Sequence, residues 1–333
     1  MPEKNGPWLR SDDRSQHFMM NVLLSLTALL AFSVFCYGWR PVLLVGCSVL
    51  SALVCELVCN AVQHNRPTVF DSTAMVTGMI VGLLMSPITA YWVPILASAF
   101  AIIVVKIPFG GAGRNVFNPA AAGVALVTQC FANRVFTYPD ITVNASLPLG
   151  DIAAGDVITH LSPAADLFAG AGSHFTVGDV IWGEMSGPIG ATAIFILIGA
   201  ALFLFLRRTA SPLITLPYLA TCALIALCFP RNMDGGVWHG MAMELCSGYL
   251  LFAGIFLLND PVTSPKFAPA RVVYGVLAGC LVMLLRHTGR FEEGACFAVL
   301  MVNAITPLLD RGCWHLKNWM RERGVFGKRG NSV

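Results

Sequence analysis

Charge is what this sequence has least of. Its 333 residues include 21 Lys or Arg and 18 Asp or Glu, so 12% are charged, about half the roughly 25% of a soluble globular chain. Hydrophobic residues make up 56%. That balance excludes a disordered chain and a nucleic-acid binder built on basic patches. It also argues against an ordinary soluble enzyme, whose surface needs more charge. The net charge of +3 is too small to select an acidic partner. Iron–sulfur cysteine spacing and a dinucleotide-binding fingerprint are both missing. The 11 cysteines supply no disulfide framework, because most sit inside apolar runs and pack as small hydrophobes. Cys55 and Cys59 lie one helical turn apart beside Glu56, but no second pair or His follows at metal-ligand spacing.

What is present is apolar length. A spanning helix needs roughly 20 mostly apolar residues. Clear segments are 18–37, 41–62, 90–107, 188–206, 211–229, 268–285 and 293–310, with shorter or Gly-containing ones at 72–88, 119–132 and 238–258. The expected class is therefore an all-α polytopic membrane protein embedded in the lipid bilayer. The first segment follows a charged leader and lacks a small-residue cleavage site, so it reads as a span rather than a signal peptide.

Basic residues test this count, because they accumulate in cytoplasmic loops. With the N-terminus inside and the ten segments alternating, 16 of the 21 Lys and Arg fall inside and 5 outside. Both termini are then cytoplasmic, and the longest connection, 133–187, is external. The expected organisation is a cytoplasmic segment 1–17, a first five-helix repeat 18–132, the external loop 133–187, a second repeat 188–310 and a basic cytoplasmic tail 311–333. The repeat rests on LLMSP at 83–87 against LLNDP at 257–261, and on GRNVFNP at 113–119 against GRFEEGA at 289–295, offsets of 174 and 176 residues. An odd number of spans per half inverts the second half. Inverted repeats place sites at their interface, often where helices break. Segments 72–88 and 238–258 are the expected broken helices.

Ionisable residues at membrane depth are costly and tend to be functional. Glu56 and Glu244 lie well inside apolar runs. Asp71, Asp260, Glu292 and Glu293 lie at or near span boundaries, and Asp71 also suits the N-cap of the following helix. Glu56, Asp71 and Glu244 are candidates for an ion path. In KIPFGGAGRNVFNPAAAG (106–123), glycines precede Arg114, Asn115 and Asn118, and Pro119 fits the first turn of a helix. A Gly-rich turn feeding a helix N-terminus suits an anion or a polar ring edge.

Several of these motifs together carry a resemblance. DSTAMVTGMIVGLLMSP, GGAGRNVFNPAAAG, GPIGATAI, LLNDPVTSP and GRFEEGACFAVLMVNAITPLLD fall in order along roughly residues 18–312. They resemble the D-type subunit of the Rnf electron-transport complex, homologous to the B-type subunit of the sodium-pumping NADH:quinone reductase, Nqr. The resemblance implies two inverted five-helix repeats and a membrane flavoprotein. It would relay electrons between ferredoxin and NAD, coupled to Na+ or H+ movement, with other membrane and peripheral Rnf-type subunits as partners. It also implies FMN joined through its phosphate to a loop hydroxyl by a separate flavin transferase, and a second, unattached flavin, riboflavin. Arg114, Asn115, Asn118, Asp260 and Thr263 would line the flavin or ion region between the repeats.

The family's attachment motif is Asp-x-x-(Ser/Thr)-Gly-Ala-(Thr/Ser), with the last hydroxyl as acceptor. Here the external loop reads DVITHLSP over 156–163, placing Asp156, Thr159 and Ser162 at the three polar positions. Gly-Ala is replaced by His160-Leu161, and the acceptor is Ser162 where Thr is usual. Thr159 is a second choice. A literal Gly-Ala-Thr ends at Thr192, but it opens a span and lacks an Asp six residues earlier. The competing class is an inverted-repeat transporter without a redox cofactor. A third reading is a scaffold that holds flavin while electrons pass elsewhere. Composition alone does not separate them.

Overall fold

Proline marks where many of the helices begin. Five of them carry it in the first turn, where the missing N–H costs nothing. The computed structural model describes residues 8–63, 72–111, 113–141, 146–150, 152, 156–170, 175–231 and 236–322. The helices are α1 (Trp8–Tyr37), α2 (Arg40–Val62), α3 (Thr73–Leu83), α4 (Trp92–Phe100), α5 (Pro119–Val135), α6 (Pro163–Ala169) and α7 (Val177–Trp182). They continue as α8 (Ile194–Leu206), α9 (Pro212–Cys228), α10 (Val237–Cys246), α11 (Leu250–Phe252), α12 (Ala268–Thr288) and α13 (Ala295–Glu322). Helices α4 and α11 run on as wider π turns, Ala101–Lys106 and Ala253–Leu257. Two short strands, β1 (Tyr138–Pro139) and β2 (Thr159–His160), pair antiparallel.

The chain is an all-α multi-pass membrane protein. Four described helices are long and apolar enough to cross a bilayer: Gln16–Tyr37 within α1, α2, α12, and Ala295–Leu316 within α13. The pair Val237–Cys246 and Leu250–Leu257 passes the same test as one span bent by 60°. That is the break expected in segment 238–258. Helix α3 is only 11 residues long and ends in turns, so segment 72–88 is a half-length helix. The remaining apolar segments are helices of 13–17 residues at matching positions.

One expected boundary moves. The segment read as starting at 188 becomes helical only at Ile194. Gly187, Pro188 and Gly190 resist helix, and the backbone instead pairs with the end of α3. Ile189 N–H donates to Met85 O at 3.0 Å, and Gly190 N–H donates to Leu83 O at 2.7 Å. A Cβ on Gly190 would lie 2.8 Å from Leu83 Cβ, so this approach requires glycine. Irregular backbone is tolerated within a membrane protein when other protein segments satisfy its polar groups.

The duplication expected from sequence pairs α1 with α8 and α5 with α13, and both pairs are in contact. One continuous apolar core runs from Val22 on α1 to Val302 on α13. Segments of the two halves also hydrogen-bond. Asn118 Nδ2 donates to Leu257 O at 3.0 Å, and Tyr249 Oη donates to Leu84 O at 2.7 Å. The cysteines are all free thiols.

Candidate functional site

Two polar sites lie at opposite ends of α12. That helix has 21 residues, about 30 Å of helix, close to the thickness of a bilayer's hydrocarbon core.

The first site is a cavity of about 70 Å³, enough for a few waters. It lies where the turn before α5 meets the turn after Leu257. Phe18, Val22, Val76, Ile80, Ile255 and Phe256 give it apolar walls. Lys106, Asn115, Asn118, Asn259 and Asp260 give it polar edges. Asn118 is the N-cap of α5: its Oδ1 accepts Ala121 N–H at 3.1 Å. Its amide group also donates to Leu257 O, so one side chain fixes both turns. Asn115 Oδ1 is buried with no hydrogen-bond partner among the described residues. Asp260 accepts Thr263 Oγ1–H at 3.0 Å, and burial pushes its carboxyl above the usual range.

Of the expected group, Asn115, Asn118 and Asp260 therefore converge. Thr263 reaches the cavity only through Asp260, and Arg114 is exposed outside the lining. Lys106, absent from the expected site residues, lies on the cavity wall. Its ammonium is 2.5 Å from Glu56 and donates to Thr73 Oγ1 at 2.7 Å, with both charged residues almost wholly buried. Glu56 is thus half of a buried ion pair. Asp71 lies outside the described residues.

The second site surrounds Ser162. The β1–β2 ladder sets Tyr138 opposite His160 and Pro139 opposite Thr159, which delivers the next residues to the end of α12. Ser162 caps α6, its Oγ accepting Ala165 N–H at 3.1 Å, and donates to Glu292 Oε2 at 3.2 Å. It is 3% exposed. Thr159 is exposed, as are the apolar side chains of Ile158 and Leu161. His160 turns its ring edge-on to Phe175, with ring centres 5.4 Å apart. Thr192 is fully buried, and its hydroxyl has no hydrogen-bond partner among the described residues.

Behind Ser162 lies a packed ionic chain. Arg286, fully buried at the end of α12, donates to Glu293 Oε1 at 2.7 Å and to Glu244 Oε1 at 3.3 Å. Arg231 holds the other side of Glu244, with Nη2 at 2.5 Å from Oε1 and 2.6 Å from Oε2. Gly248 makes this possible. It sits at φ +61°, and a Cβ there would lie 1.4 Å from Glu293 Oε1. Burial, helped by the adjacent Glu293, pushes the Glu292 carboxyl up to about 8 against the opposing pull of Ser162 and Arg286. Sequence reading marked Glu292 and Glu293 as boundary acids and left Arg286 as a loop cation. The usable signal was two adjacent carboxyls six and seven residues after an Arg that ends an apolar run.

Comparison with known proteins supplies the context. A model of the NQR2, RnfD, RnfE family matches residues 3–316. The chain belongs to that family. It is 30% identical over 323 residues to the D-type subunit of the ion-translocating oxidoreductase complex of Stutzerimonas stutzeri, covering 89% of each chain. It is 29% identical over 310 residues to the D-type subunit of the Na(+)-translocating ferredoxin:NAD(+) oxidoreductase complex of Acetobacterium woodii, covering 92% of each. It is 26% identical over 314 residues to the proton-translocating counterpart from Clostridium ljungdahlii, again covering 92% of each. The family resemblance drawn from the motifs is thereby borne out.

Proposed function

We propose that the chain is the D-type subunit of an Rnf-type ion-translocating electron-transport complex in a bacterial cytoplasmic membrane, and that it relays electrons through FMN esterified to Ser162. The observation that carries this is the sequence Asp156–Pro163, held by a strand ladder at the end of α12 opposite the cavity. When bound, FMN supplies one- and two-electron chemistry, while the protein positions it and sets its surroundings. Ser162 would hold the phosphate, and Asp156 and Thr159 would shape the loop for a flavin transferase. Ser162 is buried against Glu292, so attachment requires the 156–163 segment to lift and free that hydroxyl.

The lining of the cavity suits the ring edge of a second, unattached flavin such as riboflavin, although at about 70 Å³ the space must widen to admit it. Its walls are apolar, its edges are amides, and the unpartnered Asn115 Oδ1 fits a ring N–H. The subunit is one part of a translocase and is incomplete alone, because the sequence has neither iron–sulfur nor dinucleotide motifs. Other subunits supply those sites.

The proposed orientation puts both termini in the cytoplasm and Ser162 outside. Exposed Trp39, Trp92, Trp182 and Trp238 fall at helix ends on that outer side and exposed Trp314 toward the inner end of α13, in keeping with aromatic belts at both interfaces.

Co-expression with a flavin transferase, followed by a denaturing gel under ultraviolet light, tests the reading. A fluorescent band lost in Ser162→Ala is expected. A band that survives Ser162→Ala and vanishes in Thr192→Ala sinks the assignment. No fluorescence in the unaltered chain favours the cofactor-free transporter. The scaffold reading is separated by flavin absorbance in the intact complex: bleaching on addition of reductant supports the relay.

A further inference from the structure

The ionic chain behind Ser162 is not balanced. Glu244, Glu292 and Glu293 are 3%, 7% and 3% exposed. Two guanidiniums face these three carboxyls. Arg231 and Arg286 share Glu244, and Arg286 also serves Glu293. Glu292 has the Ser162 and Tyr138 hydroxyls and, among the described residues, no guanidinium within ion-pair distance. A buried carboxylate without a counter-charge is strongly disfavoured.

Two further observations point to a ligand. Glu292 Oε1 and Glu293 Oε2 are both buried without a hydrogen-bond partner among the described residues. The backbone is also built around this pair, since Gly248 leaves the space through which Glu293 passes. The ionisable groups facing Glu292 come from several elements: Tyr138 from β1, Tyr249 before α11, Arg286 from α12 and Glu293 beside it. Apart from Arg286 they are oxygen groups, the donors a proton or a hard cation takes.

We propose that Glu292 and Glu293 form a binding site for one monovalent cation, a proton or Na+, enclosed by Ser162 and the start of α13. One cation brings the five-residue cluster to neutrality. The raised Glu292 carboxyl agrees with that placement. The site shares Arg286 with Glu244 and lies at the end of α12 away from Glu56 and Asp260, so it adds a station beside one residue of the candidate ion path. It does not require flavin on Ser162.

The test uses the full-length chain in lipid, expressed without a flavin transferase. Infrared difference spectra follow the protonated carboxyl band with pH, for the unaltered chain and Glu292→Gln. They are recorded in sodium-free buffer and with added NaCl. A band absent from Glu292→Gln, with a midpoint near 8 in sodium-free buffer, is expected. If NaCl lowers that midpoint by about one pH unit per tenfold concentration, the site takes Na+ in competition with H+. An unmoved midpoint makes it a proton site. Absence of any Glu292 band above the ordinary carboxylate range, together with no response to NaCl, overturns the proposal. Should Glu292→Gln fail to fold, Ser162→Ala serves. Removing the hydroxyl that stabilises the ionised form is expected to raise the midpoint, and an unchanged midpoint also overturns the site as drawn.

Discussion

The two ends of α12 are built in opposite ways. At the Asn118 end, three amides, one carboxyl and the ion-paired Lys106 edge a cavity with apolar walls. At the Ser162 end, five ionisable residues pack against one another behind a short loop helix. The first arrangement leaves a small space and edges it mainly with directional amides. The second stores charge where solvent is excluded, so each carboxyl depends on a particular partner. Loss of a side chain should therefore cost stability at the ionic end and ligand binding at the cavity end.

The largest break in that contrast is at Arg286. Arg286→Met strands Glu293 and leaves Glu244 to Arg231 alone, and removing one partner of a buried pair costs about 3–5 kcal/mol. A large fall in the thermal midpoint of the purified chain is expected. Gly248→Ala should be comparably damaging, because its Cβ collides with Glu293.

Glu292 gives the next effect, read through pH. Its carboxyl is raised to about 8 in the fold. The folded state therefore keeps a proton that the unfolded chain gives up. That contribution to stability is fully present below the ordinary glutamate range and is lost as pH rises through about 8. Thermal midpoints against pH should slope downward across this window, and Glu292→Gln should flatten the slope.

At the cavity end, Asn118→Ala removes the α5 cap, worth about 0.5–2 kcal/mol, together with the bond to Leu257 O. Asn115→Ala leaves no cap or partner behind, so stability should hold while bound unattached flavin is lost from the purified complex. Flavin extracted after denaturation measures this directly. Unchanged flavin content in both variants would remove the cavity from the account.

The smallest effect is at Asp179, in the loop between the halves. Its carboxyl is lowered by hydrogen bonds from the Thr176 backbone and hydroxyl in a capping box. That stabilisation is present above the ordinary carboxylate range and fades as pH falls through the lowered value. Asp179→Asn should change amide exchange in α7 and little else.

Much of this was legible in the sequence, for identifiable reasons. Apolar length found a helix or bent pair for each of the ten segments, because the bilayer demands it. Segment 238–258 revealed its break through Gly248 and its short apolar stretches. Asn118-Pro119 announced a helix start, whereas Ser162-Pro163 was read only as an acceptor site and proved to open a helix as well. What stayed hidden was pairing across long separations. Glu56 and Glu244 stood out within apolar runs, but nothing local pointed to Lys106, 50 residues on, or to Arg286, 42 residues on. Arg40, Lys106 and Arg286 were all counted as loop charges, yet all are buried. Setting them aside steepens the inside-to-outside asymmetry of the rest. The stretch before Ile194 read as helix because its hydropathy is high, whereas its Gly and Pro made it a buried irregular turn against the end of α3.

The most direct test of the account is mass spectrometry of the 156–170 peptide from membranes that also contain the flavin transferase. The account predicts that this peptide carries FMN and that fragmentation places the phosphoester on Ser162. An unmodified 156–170 peptide alongside flavinylated Thr192, or no flavinylated peptide anywhere in the chain, would contradict it.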